Sequence, residues 1–151
     1  MYIGKLKKIK DINLVDLFRT IKLDSQINRI TSIQGSSQLM PISPRYLCIA
    51  DAFNLFFTDS QTKQLIQLKL DTGDFVQATS LAGALKNPDG ICVNAKTGHL
   101  YVSDHELKVI FKLDTQLGLV KRFGTKELKW PRGMYYDWED DSSPNCLYVC
   151  D

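Results

Sequence analysis

Three aspartates, each at the end of a short apolar run, are the first candidates for chemistry in this 151-residue chain. Carboxylates such as Asp59, Asp104 and Asp151 can act as general acids or bases. Their recurrence at one place in a repeated pattern instead favours a structural role, in which each carboxylate accepts backbone N–H groups and caps the following turn. Ser103 and His105 flank Asp104, but adjacent residues do not form a catalytic triad. We therefore predict no catalytic residue and no enzymatic activity.

Four cysteines and two histidines could indicate a zinc site or disulfides. Cys48 and Cys92, however, follow a proline at the same spacing in two successive copies of the pattern, where a third copy has Tyr135. A position that accepts both cysteine and tyrosine is typical of an apolar strand site. Cys146 and Cys150 form no Cys-x-x-Cys motif, so they too are interpreted as packing residues. We predict no metal and no cofactor.

Internal repeats explain these coincidences of position. Prolines at 44, 88 and 131 open three copies, and the three aspartates recur at nearly the same interval. The tripeptide Lys-Leu-Asp also recurs, at 22–24, 69–71 and 112–114. Three markers that keep one period of about 45 residues indicate a repeat architecture.

Each period contains short runs rich in Val, Ile, Leu, Phe and Tyr, bounded by turn residues, which is typical of strands of about four to eight residues. Four strands in about 45 residues predict an all-β fold, a β-propeller of four-stranded antiparallel blades. Residues 44–83 and 88–124 are predicted to be whole blades, residues 1–35 the end of a blade, and residues 131–151 the first half of another.

The number of blades predicts an incomplete ring. About three blades are present, whereas propellers close with about four to eight, and closure removes the exposed sheet edges. We expect the chain to be a fragment, about half of a six-bladed propeller. Other blades of a longer chain, or a second copy, would then close the ring.

Composition narrows the location and the class of partner. The formal net charge is only +2, which does not indicate a general nucleic-acid or membrane surface. No apolar run reaches the roughly 18 residues that span a bilayer, and no signal-peptide pattern opens the chain. We expect a cytoplasmic protein that does not bind membranes.

The second whole blade carries the clearest family resemblance. Its elements Pro88-Asp89-Gly90-Ile91, Leu100–Asp104, Val109–Asp114 and Phe123-Gly124 are similar to the NHL repeat of six-bladed propellers, of the type found in tripartite-motif proteins. The match is partial after Pro131 and weak in the first whole blade, which has Tyr46 where the other blades have Gly90 and Gly133.

The resemblance implies a non-enzymatic platform that binds protein partners, including substrate recruitment for a ubiquitin ligase, with RNA as the second candidate ligand. Two other families of β-propeller proteins resemble the chain about as closely. One is a metal-dependent hydrolase of the gluconolactonase type, which shares Pro-Asp-Gly-Ile and Leu-Tyr-Val-Ser-Asp. The other is an extracellular YWTD-like receptor propeller, similar to the run Leu55–Asp59.

The strand topology predicts where a partner would bind. In an antiparallel meander, the start of the first strand and the end of the second lie at one edge of a blade. Residues just after the prolines should therefore share a face with the turns at 60–63 and 105–108, and such loops concentrate binding residues. The predicted partner-binding residues are Arg45, Lys63, Asp89, His105, Lys108 and Arg132.

Two further groups could contact nucleic acid. Lys5, Lys7, Lys8 and Lys10 form a basic run that could contact phosphate, although lysines on edge strands also prevent aggregation. Aromatic residues at 130, 135 and 136 could stack on bases. For these three aromatic residues we favour packing between blades.

Overall fold

The computed structural model describes residues 43–124, 126–137 and 146–151. The predicted blade end at 1–35, with its basic run, lies outside the described residues. No helix in the described part of the chain is long and apolar enough to cross a membrane.

The described residues form ten strands in three antiparallel sheets, which confirms the predicted all-β fold of four-stranded blades. The first sheet has the order β1-β2-β3-β4, the second β5-β6-β7-β8, and the third pairs β9 with β10. The strands are β1 (Pro44–Ile49), β2 (Asn54–Asp59), β3 (Gln64–Lys69), β4 (Phe75–Thr79), β5 (Pro88–Val93), β6 (Leu100–Asp104), β7 (Val109–Leu113), β8 (Leu119–Phe123), β9 (Met134–Asp137) and β10 (Cys146–Val149).

Short polar turns connect the strands within each four-stranded sheet. In the turn between β1 and β2, Asp51 accepts hydrogen bonds from the backbone N–H groups of Phe53 (2.7 Å) and Asn54 (2.8 Å), an Asx-type turn. Hydrogen bonds to the carboxylate, led by those from the Asn54 side chain, hold the pKa of Asp51 below its ordinary value. Local side-chain chemistry therefore closes this hairpin.

Apolar side chains between the first two sheets form the larger core, here called the first interface. Phe56 and Leu65 of the first sheet pack there with Val109 and Phe111 of β7, and all four side chains are buried. A smaller cluster, the second interface, joins the second sheet to the third. There Tyr101 stacks on Tyr136 with ring centroids 5.0 Å apart. Burial of these aromatic and aliphatic groups holds the sheets face to face.

The recurrent aspartates are structural, as predicted, and they do more than cap the following turn. Asp104 Oδ1 accepts the N–H of Leu107 (3.0 Å) in the β6–β7 turn, while Oδ2 accepts the N–H groups of Lys86 (2.7 Å) and Asn87 (2.9 Å). Asp59 makes the same two kinds of contact, to Ser43 and to its own turn. Each carboxylate thus ties the segment before a proline to the next turn.

Candidate functional site

One edge of the sheets, here called the rim, contains the starts of β1 and β5, the ends of β2 and β6, and the turns at 60–63 and 105–108. The pairings of Pro44 with Asp59 and of Pro88 with Asp104 define it. Most of the predicted partner-binding residues lie at this edge, because the antiparallel pairing brings the segments after the prolines beside these turns.

Hydroxyl groups connect successive sheets beneath the rim. Ser103 accepts the N–H of Gly90 at 2.8 Å in its own sheet and donates to the carbonyl of Arg132 at 2.8 Å in the chain leading to the third sheet. Thr58 accepts from Tyr46 N–H (3.2 Å) and donates to the carbonyl of Asp89 in the same way. These bonds fix the residues that follow each proline against the preceding sheet.

Gly90 allows the close approach of the second sheet to Arg132. A Cβ atom at this position would lie 1.8 Å from the Arg132 carbonyl oxygen, closer than real side chains come. At Gly133 the nearest atom to such a Cβ belongs to the Tyr46 ring, at 3.9 Å, which is ordinary contact. Close approach therefore requires a glycine at position 90 and does not require one at position 133.

Asp89, His105 and Arg132 come together at the rim. Asp89 Oδ2 lies 3.3 Å from His105 Nδ1 and 3.9 Å from Arg132 Nε. His105 Nδ1 is nevertheless buried without a hydrogen bond, because the close approach to the carboxylate is not aligned for one. Asp89 itself is only 3% exposed, so it anchors its two neighbours and is not part of the surface that a partner would touch.

Trp130 completes this group, here called the rim cluster. Its ring stacks on His105 with centroids 5.2 Å apart and planes at 22°, and the Arg132 guanidinium carbon lies 5.7 Å from its centroid. The Asp151 carboxylate accepts the backbone N–H groups of Trp130 and Lys129. Trp130 remains 52% exposed although it is held on several sides.

The remaining predicted residues are exposed cations. Arg45 donates from Nε to Ser60 Oγ at 3.2 Å, which places it beside the β2–β3 turn. Lys63 and Lys108 occupy equivalent positions in two turns, and both have a left-handed backbone, with φ of 57° and 58°. A residue other than glycine loses about 1–2 kcal/mol in this conformation. Leu117 has a similar φ of 62°, but its side chain is buried, whereas the two lysine side chains are exposed.

The aromatic residues only partly follow the expectation of packing between blades. Tyr136 packs as predicted. Trp130 stacks on His105 of the second sheet but keeps half of its surface exposed, and Tyr135 is exposed. Neighbouring strand residues point to opposite faces, so this alternation could have separated Tyr135 from Tyr136. Trp130 lies before Pro131 and outside any strand, a signal that it does not follow the strand pattern.

The four cysteines are free. Cys48 and Cys92 lie in strands and pack into the first and second interfaces, as predicted, and burial raises the pKa of each thiol to about 12. For Cys150 the prediction of a packing residue is wrong, since it is exposed. In the two whole sheets the equivalent Thr58 and Ser103 are buried and donate to the carbonyls of Asp89 and Arg132 in the next repeat.

The chemistry available at the rim is polar and aromatic contact. Within the described ranges, no group of three or more His, Cys, Asp or Glu side chains is arranged to hold a metal ion. The rim cluster instead offers an indole face, a guanidinium group and nearby ammonium groups. Such groups bind by stacking and by charge-assisted hydrogen bonds.

No model of a known protein family matches the chain, and neither does any curated protein. Solved structures do match. Hydrazine synthase of Kuenenia stuttgartiensis aligns with a TM-score of 0.54 and 18% identity over 67% of this chain and 28% of that chain. The structure of U3-55K aligns with a TM-score of 0.53 and 15% identity over 73% of this chain and 33% of that chain.

Likeness at such low identity shows the fold alone. The chain spans about a third or less of each of these two larger chains. Its two four-stranded antiparallel sheets and partial third sheet resemble the propeller blades of larger proteins.

Proposed function

We propose that the chain is a non-enzymatic recognition module, an NHL-type part of a β-propeller, that binds a protein partner through its rim. The observation that carries the proposal is the rim cluster: an exposed Trp130 fixed by Asp151, His105 and Arg132. Tryptophan and arginine are the residues that most often dominate binding energies at protein interfaces. A ring that is already fixed loses little conformational entropy when a partner binds.

The charge of the rim favours an acidic partner. Asp89 is buried beneath His105 and Arg132, and the exposed carboxylates described at this edge, Glu106 and Asp151, are fewer than the exposed cations. Arg45, Lys63 and Lys108 are exposed on the same edge. The two lysines hold a strained backbone without side-chain burial to compensate, and strain of this kind is commonly found at functional sites. An acidic protein segment therefore suits the rim best.

RNA is the second candidate, because an exposed indole beside guanidinium and ammonium groups also suits a stacked base and its phosphate. The dependence of the binding affinity on salt concentration distinguishes the two kinds of ligand. Salt weakens both complexes, since both use the exposed cations, but binding dominated by phosphate contacts weakens steeply, whereas the part of the affinity that comes from burial of Trp130 by a protein segment is retained.

The test measures binding of a labelled glutamate-rich peptide and of labelled oligouridylate to the full chain. Trp130→Ala should weaken peptide binding by about tenfold or more. Phe53→Ala is the matched control, since Phe53 is 69% exposed at the opposite end of the first sheet. Equal affinities for both variants and the parent chain would overturn the proposal. Tighter and strongly salt-dependent binding of oligouridylate would favour RNA.

Free thiols suit a reducing compartment, so we place the protein in the cytoplasm. Further blades, from a longer chain or a second copy, would close the ring and remove sheet edges. Calorimetry with Ca²⁺ and Zn²⁺ tests the non-enzymatic part, because tight stoichiometric uptake would favour the gluconolactonase-like alternative.

A further inference from the structure

The contact between His105 and Asp89 in the rim cluster depends on the protonation state of the histidine. Histidine is the side chain that ordinarily gains or loses a proton between about pH 5 and 8. His105 Nδ1 lies 3.3 Å from Asp89 Oδ2, but it is buried and makes no hydrogen bond. The side chain of Asp89 is 4% exposed and that of His105 13%, so water screens this contact little.

Protonation of His105 changes the chemistry of the nitrogen that faces Asp89. A neutral imidazole carries a hydrogen on only one of its two nitrogens, whereas an imidazolium carries a hydrogen on each. Protonated His105 therefore presents both an N–H donor and a positive charge to the Asp89 carboxylate, and such charge-assisted hydrogen bonds are about twice as strong as neutral ones. Because the ring as it stands is not aligned for this bond, it has to turn in order to make it.

Arg132 shares the same carboxylate oxygen with His105. Its Nε lies 3.9 Å from Asp89 Oδ2, and its side chain is 50% exposed, so this ion pair is long and open to water. An imidazolium at position 105 would neutralise Asp89 from a shorter distance and in a more buried place. Arg132 would then be free to pair with a carboxylate of a partner.

The other described charged groups around the ring are engaged or exposed. Asp104, the neighbour of His105 in sequence, accepts backbone N–H groups on both oxygens, and Asp151 does the same from the third sheet. Glu106 and Lys108, on the histidine's own turn, are exposed to water, which screens their charges. The two groups that share the carboxylate contact therefore dominate the response of the ring to pH.

We propose that His105 is a pH-sensitive switch that controls how tightly the rim binds an acidic protein segment. As the pH falls, protonated His105 turns toward Asp89 and releases Arg132, and it adds a positive charge beside the Trp130 ring on which it stacks. The rim then binds an acidic segment more tightly, and binding takes up a proton. This inference rests on the proposed function of the rim.

The first test follows the free chain by NMR and needs no ligand. The chain has two histidines and two tryptophans, so His99→Gln with Trp138→Phe leaves His105 and Trp130 as the only residues of their types. Between about pH 5.5 and 7.5, the ring protons of His105, the indole N–H of Trp130 and the Nε–H of Arg132 should shift with one midpoint. An Arg132 or Trp130 signal that stays constant while His105 titrates would overturn the switch.

The second test measures binding of the labelled glutamate-rich peptide to the full chain at about pH 5.5 and pH 7.5, where glutamate side chains are ionised. The affinity should be about fivefold higher at the lower pH. His105→Gln should remove this dependence, because glutamine is polar but gains no charge. His99→Gln is the matched control and should keep the dependence, since His99 lies in the β5–β6 turn at the opposite end of the sheet, beside Thr97.

Three binding results would also overturn the proposal: the same pH dependence in His105→Gln as in the parent chain, loss of the dependence in His99→Gln, or a lower affinity at the lower pH. Absence of peptide binding at both pH values, with the NMR signals of the free chain shifting together, would support the switch and contradict the proposed function of the rim. Failure of the switch and failure of the proposed function are therefore distinguishable.

Discussion

In the first interface Phe111 is fully buried among Phe56, Leu65 and Val109, whereas in the second interface the equivalent face of the second sheet is only partly covered. The two interfaces use the same repeated row of positions, with a cysteine and an aromatic residue in each. They differ in the outer half of the row, where two glutamines are replaced by Lys112 and Lys121. The repeat thus keeps a cysteine and an aromatic residue on the first two strands of each sheet, while the third and fourth strands carry glutamine in one sheet and lysine in the other.

The largest expected effect is on the free energy of unfolding. Replacing a phenylalanine with alanine should cost much more in the first interface than in the second. Phe111→Ala should destabilise the chain by about 3–5 kcal/mol, because it leaves a cavity in a closed core. Phe123→Ala, in the second interface, should cost only about 1 kcal/mol since its ring is partly exposed. Urea denaturation of both variants measures the difference. Equal losses would mean that the second interface is packed as tightly as the first.

A substitution at Gly90, where the second sheet lies close to Arg132, should have the next largest effect on stability. Gly90→Ala should cost about 3 kcal/mol, because the added Cβ collides with the Arg132 carbonyl oxygen and must push the third sheet away. Gly133→Ala is the matched control, with an expected change of about 0.5 kcal/mol or less, since its nearest neighbour is the Tyr46 ring at 3.9 Å. Thermal unfolding compares the two variants. A similar loss in both would contradict the contact between the second sheet and Arg132.

These two glycines also show how far the sequence determines the structure. The repeat predicted the strands, the four-stranded sheets and the structural role of Asp104, because all of these depend on local patterns. It did not predict which glycine is in close contact, since the contacting Arg132 carbonyl belongs to the next repeat. The stacking of His105 on Trp130 and the second contact of Asp104 to Lys86 and Asn87 also join segments distant in sequence. Local patterns carry no information about such contacts.

A smaller effect concerns the two strained lysines at the rim. Lys63→Gly and Lys108→Gly should each stabilise the chain by about 0.5–1 kcal/mol, because glycine adopts a left-handed backbone without strain, which outweighs its greater entropy in the unfolded chain. Both variants should bind the glutamate-rich peptide more weakly. Denaturation and peptide titration on the same samples check this. Greater stability with unchanged binding would remove these lysines from the binding surface.

Labelling of the exposed thiol is expected to leave the stability of the chain unchanged. Cys150 should react quickly with a maleimide at neutral pH because it is exposed, while Cys48 and Cys92 should stay unreacted in the folded chain. Burial raises their pKa to about 12, so almost no thiolate is present, and the reagent cannot reach them. Mass spectrometry of digested protein locates the label. Fast labelling of Cys92 would show that the second interface opens readily.

The claim that the rim recognises a protein partner is tested most directly by the fluorescence of Trp130. The chain has two tryptophans, so Trp138→Phe leaves Trp130 as the only one. Titration of this variant with the glutamate-rich peptide should give a saturable change in tryptophan emission, with an affinity that falls less steeply with salt than that of a phosphate-dominated complex. An unchanged emission, or a change that appears only with oligouridylate and disappears as salt rises, would contradict the account.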